Sequence, residues 1–312
     1  MERKVQLSGA GNEREKDFVG RLARRLFFSN RRGGPWPVPA HLQHEALTLP
    51  GNSGARLPAR WFPHDRPRGA VVLAHPDRRY AQHWFVREGW VDFLHQAGFE
   101  VLTFDFPAYG RSEGGTTFFH EDLVTAARFA HQEAGGFPVH VVGVSLGAFV
   151  AANASPRLDF VEGLVLESPY PSNSAWFGSG PHYRLVKTLD ALFPSAAAAF
   201  NAERNITKAA ARRLLVAAAT RDTITPVALT RAVAAAAPQD RTRYLEVTDV
   251  DHLGLFAGSS AYRQAVLETL GVPAAEAAAL AASHPATESA PPHPAPSKGD
   301  VPARQQVPLE AV

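Results

Sequence analysis

The 312-residue sequence predicts an α/β fold in which a mostly parallel central sheet carries helices on both faces. Two observations lead to this prediction. Apolar runs of strand length alternate with amphipathic segments of helix length between residues 69 and 270. These runs also lack the strict alternation of apolar and polar residues that marks a half-exposed strand, as expected of strands buried on both faces. Strands that are connected through helices then lie parallel, with right-handed crossovers.

The predicted strands and helices follow one another from residue 42 to residue 271, which we take as one domain. Two short runs open it, His44–Leu49 and Ala55–Phe62, with the turn-rich Pro50–Gly54 between them. The later apolar runs expected to be strands are Gly69–Ala74, Glu100–Phe104, Val139–Val144, Leu164–Glu167, Leu214–Ala218 and Tyr244–Val247. The segments expected to be helices are Trp84–Gln96, Phe118–Glu133, Gly147–Ala154, Val227–Ala236 and Ser260–Leu270.

Residues 1–41 form a basic leader with one predicted amphipathic helix, Glu13–Phe28. Phe18 and Leu22 recur at a spacing of four residues, while arginines crowd the rest of the surface. Because the helix is short and Gly20 weakens it, we expect it to dock on its own domain. Peripheral contact of residues 13–28 with an anionic membrane is the weaker alternative.

The C-terminal segment, residues 272–312, is rich in alanine and contains eight prolines. It has no large apolar residues apart from scattered valine and leucine. Such a segment buries too little surface to offset its ordering entropy, so the sequence predicts a disordered tail.

Composition narrows the functional classes. The chain has 32 Lys and Arg against 30 Asp and Glu, and this balance argues against a nucleic-acid partner, which requires clustered basic residues. The absence of cysteine excludes disulfides, thiolate metal sites and a cysteine nucleophile. No apolar signal-peptide core follows Met1–Lys4, and the longest mainly apolar stretch, Val139–Ala154, is shorter than the roughly 20 residues that span a bilayer. We therefore expect a cytoplasmic protein without an integral membrane segment.

The most informative motif is Gly143–Gly147, which has the pattern Gly-x-Ser-x-Gly with Ser145 at its centre. A predicted strand enters it and a segment of mostly small residues leaves it as a helix. A serine on such a strained turn needs glycines two positions before and after it, because side chains there would collide with neighbouring backbone. The turn also places the hydroxyl at a helix N-terminus, which favours developing negative charge. This pattern indicates a nucleophilic serine.

A nucleophilic serine needs a base and an acid that orients the base. After Ser145, Asp222 follows one predicted strand and His252 follows the next, at the strand ends where parallel sheets bind ligands. Asp249 and Asp251 are rival acids, but neighbours along a loop generally point apart, so Asp222 is preferred. The order serine, acid, histidine is the order expected when the serine lies on a strand-to-helix turn.

These motifs resemble the α/β-hydrolase superfamily over residues 42 to 271. Two further segments, Phe104–Gly114 and Leu164–Pro169, are similar to the loop after the fourth strand of that fold and to the strand after the nucleophile helix. The sequence of Tyr109–Gly114 is most similar to the serine-aminopeptidase-like and BEM46-like subgroup, which includes esterases, lipases and peptidases. The resemblance implies the α/β-hydrolase fold and the Ser145, Asp222, His252 triad, and it leaves the substrate open.

An oxyanion hole needs two N–H donors. The N–H of Leu146 is one candidate, and the second is expected from the loop after the strand Gly69–Ala74. Relatives usually have His-Gly-x there, with x as the donor, whereas this chain has His75, Pro76 and Asp77, so Asp77 is the matching donor. Its carboxylate would oppose an oxyanion unless Arg78 or Arg79 neutralises it or it points to solvent. It could alternatively attract a cationic group of the substrate. His75 is expected to be a packed loop histidine.

Residues 170–212 form an insertion before the acid-bearing strand, and they contain many large apolar side chains. A small helical cap that lines an acyl pocket and simple core packing both explain this composition. His41 and His44 lack companion ligands, so no metal is expected, and no glycine-rich phosphate loop follows a strand, so no cofactor is expected.

The sequence thus predicts a serine hydrolase for a small-molecule acyl substrate. A carboxylic ester is preferred, and a thioester or an amide is possible. Two alternatives keep the fold. One is a binding or scaffold protein with an impaired triad, favoured only by Asp77. The other is an acyltransferase that uses an alcohol or amine instead of water.

Overall fold

The computed structural model describes residues 18–22, 37–78, 80–178 and 180–284. A nine-stranded sheet runs through the molecule in the order β1-β2-β4-β3-β6-β7-β8-β9, and β5 pairs with β2 outside this path. The strands are β1 (Glu45–Pro50), β2 (Ala55–Phe62), β3 (Gly69–Ala74), β4 (Phe99–Phe104), β5 (Glu113–Gly114), β6 (Val139–Val144), β7 (Val161–Glu167), β8 (Arg213–Ala219) and β9 (Thr242–Val247).

The sheet is parallel from β4 through β9, and β2 is antiparallel to β1, β4 and β5. Helices cover both faces. They are α1 (His83–Arg87), α2 (Trp90–Gln96), α3 (Phe119–Glu133), α4 (Leu146–Ala154), α5 (Asn173–Phe177), α6 (Gly180–Leu192), α7 (Pro194–Ala199), α8 (Ala202–Ile206), α9 (Val227–Ala236), α10 (Leu255–Gly258), α11 (Ser260–Thr269) and α12 (Ala274–Ser283). The predicted fold class, a mostly parallel sheet between helical layers, is confirmed.

Two apolar clusters, one on each face of the sheet, form the core. Successive residues of β6, Val141 and Val142, are fully buried in different clusters. The cluster of Val141 includes side chains of α3, α4, α8 and α9, and the cluster of Val142 includes side chains of α1, α2, α10, α11 and α12. Burial on both faces explains why these strands read as continuous apolar runs.

The predicted helix Trp84–Gln96 is two helices, α1 and α2. Gly89 interrupts it with a φ of 81°, a left-handed conformation that glycine adopts without steric cost. The N–H groups of Glu88 and Gly89 bond to carbonyls of α1 and close that helix. The amphipathic period continues across the break, so periodicity alone does not reveal it.

The prediction of a disordered tail is wrong for residues 272–284. Helix α12 packs against α11, with Ala277 and Ala281 buried at the contact. Alanine has the highest helix propensity, and its small side chain permits close approach of the two helices. The buried guanidinium of Arg263 donates to the Ala281 carbonyl at 3.0 Å and so binds the C-terminal end of α12. The remaining residues of the tail, 285–312, lie outside the described residues.

Five residues of the predicted leader helix, 18–22, are described, and they are helical. Val19 is buried in a small apolar cluster with Phe118 and Ala196, and the Phe18 ring lies 6.1 Å from that of Phe193. This segment therefore docks on the domain. The other residues of Glu13–Phe28 lie outside the described part of the chain.

The described residues of the insertion at 170–212 form four helices, α5 to α8, which agrees with a short helical cap. Ala202 and Ile206 of α8 belong to the main core, whereas α6 exposes Leu185 and Leu192. The insertion therefore combines core packing with a more exposed outer part. None of the described helices has both the length and the apolar composition that crossing a lipid bilayer requires.

Candidate active site

Ser145 lies on the turn between β6 and α4, with a φ of 54°. A Cβ atom on Gly143 would collide with the Gly147 backbone, and one on Gly147 would overlap the Ala74 carbonyl. The two glycines are therefore required by the close approach of three backbone segments. The Ser145 N–H donates to the Glu167 carbonyl at 2.8 Å, which fixes the strained residue to the neighbouring strand.

Helix α4 begins directly after the serine, at Leu146. The N–H groups of a helix's first turn have no acceptor within the helix, and the positive end of its dipole points at the same place. The N–H of Leu146 is therefore suited to bind an anion that develops beside Ser145.

His252 bridges Ser145 and Asp222, although the three residues are far apart in the sequence. Its Nε2 lies 2.9 Å from Ser145 Oγ, and its Nδ1 lies 2.6 Å from Asp222 Oδ2. Because the carboxylate is an acceptor only, Nδ1 carries the proton and Nε2 accepts from the serine hydroxyl. The His252 side chain is 9% exposed and that of Asp222 is fully buried. The structure thus brings the three predicted triad residues together.

The Asp222 carboxylate is held by its own loop. Its Oδ1 accepts the N–H of Ile224 at 2.8 Å and the N–H of Thr225 at 2.7 Å. With the bond to His252, three donors surround the buried carboxylate, which compensates for the loss of water. Asp222 therefore has a fixed orientation toward the imidazole.

Hydrogen bonds join the loop after β8, which carries Asp222, to the loop after β9, which carries His252. The Arg221 N–H donates to Val250 O at 3.0 Å, and the Asp249 N–H donates to Thr220 Oγ1 at 3.0 Å. The rival acids face elsewhere: Asp251 lies 3.3 Å from the Arg221 guanidinium, and the Asp249 side chain is exposed.

The carboxylate of Asp77, the second expected oxyanion-hole residue, has a partner that the sequence did not reveal. The Tyr109 hydroxyl donates to Asp77 Oδ1 at 2.8 Å, and Tyr109 is fully buried. The sequence suggested Arg78 or Arg79 as the group that neutralises this carboxylate, whereas the structure shows a bond from Tyr109. Arg79 lies outside the described residues. Tyr109 lies in the loop Phe104–Gly114, whose sequence resembles the corresponding loop of α/β hydrolases. Its partner Asp77 is 32 positions away, so the sequence does not indicate the bond.

His75 supports the same loop. Its Nδ1 donates to Pro76 O at 2.8 Å, and its Nε2 accepts the Phe106 N–H at 3.1 Å. Burial lowers the pKa of His75 to about 4, so the ring is neutral at neutral pH. His75 is thus a packed histidine, as expected.

Aromatic side chains connect the helix of the serine to the cap. The Tyr170 ring stacks on Phe149 of α4 at 4.3 Å and on Trp176 of α5 at 5.8 Å. Trp176 Nε1 in turn donates to the Ile224 carbonyl at 3.1 Å, and the N–H of the same Ile224 binds the Asp222 carboxylate. The cap is therefore joined to the acid-bearing loop.

Glu167, the last residue of β7, is an acid near the site to which the sequence assigned no role. It is fully buried, and burial, together with the charge of Asp222, raises its pKa to about 8. Its position was visible in the sequence, but its burial follows from the central place of β7 in the sheet.

Within the described ranges, no three His, Cys, Asp or Glu side chains are grouped so as to hold a metal ion. His41 Nε2 lies 2.9 Å from Asp92 Oδ1, and the His44 ring lies 5.5 Å from that of Phe62. The two histidines thus have separate partners.

Residues 65–223, about half of the chain, match the family model described as serine aminopeptidase, S33. This segment includes Ser145 and Asp222, and it ends before His252. No curated protein matches the chain.

Two solved esterases have a similar fold. The Pyrococcus furiosus esterase Pf2001 aligns with a TM-score of 0.57 and 21% identity, over 73% of this chain and 90% of that chain. Est1E from Butyrivibrio proteoclasticus aligns with a TM-score of 0.56 and 14% identity, over 73% of this chain and 99% of that chain. At these identities the likeness establishes a common fold.

Proposed function

Because the chain belongs to the serine aminopeptidase S33 family of α/β hydrolases, we propose that it is a serine hydrolase that cleaves a carboxylic ester through Ser145, His252 and Asp222. The observation that carries the proposal is the continuous chain of hydrogen bonds from Ser145 Oγ to His252 at 2.9 Å and from His252 to Asp222 at 2.6 Å. This arrangement matches the requirements of a nucleophile, a base and an orienting acid.

In the first half of the reaction, His252 Nε2 accepts the Ser145 hydroxyl proton while Oγ attacks the carbonyl carbon. The tetrahedral intermediate collapses when the imidazolium donates that proton to the leaving alkoxide. Asp222 keeps the ring oriented and stabilises its transient charge. The products of this half are an alcohol and an acyl-enzyme on Ser145.

In the second half, water takes the place of the alcohol. His252 accepts a proton from water as the water oxygen attacks the acyl carbonyl, and then returns the proton to Ser145. The carboxylic acid leaves and the free serine is regenerated. An alcohol or amine acceptor would turn the same acyl-enzyme toward acyl transfer.

The proposed oxyanion donors are the N–H groups of Leu146 and Asp77. Leu146 is supported by its place at the start of α4. For Asp77, the bond from Tyr109 is supportive, because it gives the carboxylate a partner other than the oxyanion. The Asp77 carboxylate was the one feature that favoured an inactive binding protein. Because Tyr109 binds this carboxylate, that alternative is weakened. A donor of this kind typically contributes on the order of 100- to 1,000-fold in rate.

Two considerations support an ester over an amide. Phe149 of α4, Tyr170 and Trp176 form a stack of aromatic rings that makes the surroundings of Ser145 apolar, which suits an uncharged acyl group. Ester cleavage also releases an alkoxide that requires less protonation than an amine does.

The proposal is tested by Ser145→Ala, with Ser283→Ala on the exposed surface of α12 as the matched control. We expect Ser145→Ala to abolish turnover of p-nitrophenyl esters and covalent labelling by a fluorophosphonate probe, while Ser283→Ala retains both. If Ser145→Ala is labelled and turns over like the parent protein, the proposal is wrong.

A further inference from the structure

Glu167 is a buried acid that the proposed reaction does not use. Its side chain lies on the same face of the sheet as that of Val165, which α11 covers, and the residue is fully buried. Neither carboxyl oxygen makes a well-aligned hydrogen bond to any residue that the structure describes. A buried carboxyl in this situation strongly favours its protonated form.

The groups that face Glu167 come from two elements. Burial raises the pKa of Glu167, the buried hydroxyl of Tyr262 on α11 lowers it as a hydrogen-bond donor, and the negative charge of Asp222, after β8, raises it. Val144 of β6 and Ala217 of β8 belong to the apolar cluster on the same face. No cation is among the groups that shift the pKa of Glu167. Ionised Glu167 would therefore have the Tyr262 hydroxyl as a donor, but no positive charge would offset its repulsion by Asp222.

The backbone of Glu167 also contacts the nucleophile turn. Its carbonyl accepts the Ser145 N–H at 2.8 Å, while the next residue, Ser168, has a φ of 52° and donates its own N–H to Ala217 O at 2.8 Å. Two adjacent strands thus end in a serine of positive φ, each bonded to the next strand. Glu167 lies where these two turns meet.

We propose that Glu167 is a positioning residue of the proposed triad: its carbonyl fixes the Ser145 backbone, and its uncharged side chain adds no second negative charge to that of Asp222, the acid that orients His252. This inference rests on the proposed function. It adds a group that touches neither the substrate nor the reacting atoms and that acts through Ser145 and Asp222.

The role has a pH signature. Below a pH of about 8 the Glu167 side chain is neutral and the arrangement of Asp222 and His252 is intact. As the pH rises through that value, the carboxyl loses its proton and places a second negative charge near Asp222. The two carboxylates repel each other, so Asp222 moves from its hydrogen-bonded position and activity falls.

The test is Glu167→Gln, which keeps the shape and the backbone carbonyl but does not ionise. The matched control is Glu162→Gln, which alters a partly exposed glutamate at the other end of the same strand. The rate of fluorophosphonate labelling and kcat/KM for a p-nitrophenyl ester are measured from about pH 6 to about pH 10.

For the parent protein and Glu162→Gln, we expect the labelling rate and kcat/KM to fall about tenfold below their plateau at about one pH unit above the Glu167 pKa. At that pH about a tenth of the molecules keep the proton on Glu167. Glu167→Gln should stay on the plateau over the same range. An alkaline loss in Glu167→Gln equal to that of the parent would overturn the inference.

A second variant, Tyr262→Phe, decides the matter if Glu167→Gln does not fold. Because the Tyr262 hydroxyl lowers the pKa of Glu167, its removal should move the alkaline loss to higher pH. An unchanged midpoint would contradict the role of Glu167. Failure of the proposed function is recognised separately, since Ser145→Ala would then be labelled like the parent at every pH.

Discussion

Backbone groups hold two residues of the candidate site, Asp222 and Ser145. Asp222 shows this most clearly, because two N–H groups of its own loop bind one carboxylate oxygen and leave the other for His252. Ser145 is fixed in the same way through its N–H. Side chains oriented in this manner need little reorganisation when charge develops on the imidazole.

Asp222→Asn tests the orientation of the imidazole. An amide nitrogen facing Nδ1 would favour the tautomer with the proton on Nε2, which can no longer accept from Ser145. We expect kcat for ester hydrolysis to fall about 1,000-fold or more. Asp251→Asn is the control, since Asp251 contacts Arg221 at the surface and should retain kcat. A larger loss in the control than in Asp222→Asn would assign the acid to Asp251.

Tyr109→Phe tests the partner of Asp77. Loss of the hydroxyl leaves the carboxylate without this donor beside the proposed oxyanion hole. Because a less compensated charge there opposes the developing oxyanion, kcat should fall roughly tenfold or more, with the loss of an oxyanion-hole donor, about 100- to 1,000-fold, as the upper bound. Adding Asp77→Asn in the same chain should restore much of the loss, because it removes the charge. If the double variant is no better than Tyr109→Phe, the carboxylate is not the cause.

At the scale of elements, the turn between β6 and α4 is where three backbone segments approach most closely. Gly147→Ala would place a methyl group on the Ala74 carbonyl, which rigid backbone cannot avoid. We expect a loss of about 3 kcal/mol or more in the free energy of unfolding in urea. Gly258→Ala is the control, because Gly258 also has no positive φ and an added Cβ there would approach only the Val250 side chain, at 3.2 Å. Equal losses in both variants would show that the contact with the Ala74 backbone does not set the requirement.

The sequence predicted most elements well where local pattern decides the structure. Strands Ala55–Phe62 and Gly69–Ala74 have the expected bounds, because apolar runs between turn residues define them. It failed where contacts with other elements decide. Helix α12 is ordered by the burial of Ala277 against α11 and by the Arg263 guanidinium, and neither contact is visible in an alanine-rich sequence.

The candidate site follows the same division. Ser145, Asp222 and His252 could be identified because each follows a predicted strand, and parallel topology brings strand ends to one edge of the sheet. The bond from Tyr109 to Asp77 joins two irregular loops, and the burial of Glu167 depends on strand order. Both follow from the assembled tertiary structure, so a motif does not reveal them.

At the scale of the whole molecule, buried ionisable groups make stability depend on pH. Burial raises the pKa of Asp122 to about 7 and that of Glu167 to about 8. Each group therefore stabilises the folded protein less as its carboxyl loses the proton. An acid whose pKa is raised by folding contributes stability that is complete below its unfolded pKa and is lost as the pH rises through the folded value. Stability should therefore decline from mildly acidic to alkaline pH through these two groups.

Asp122→Asn tests this dependence without touching the candidate site. The amide oxygen can still accept the Ser53 N–H, which Asp122 Oδ1 accepts at 3.1 Å, and it carries no charge. Relative to the parent protein, the Tm of the variant should rise between about pH 5 and about pH 8. A Tm difference that does not change with pH would show that Asp122 does not titrate in the folded protein over this range.

The central claim, that Ser145 is a nucleophile activated by His252, is tested most directly by mapping a covalent adduct. The intact protein is reacted with a fluorophosphonate, digested, and analysed by mass spectrometry. We predict a single phosphonylated residue, Ser145, and no adduct when His252 is replaced by alanine. An adduct on another serine, or equal labelling of Ser145 without the imidazole, would contradict the account.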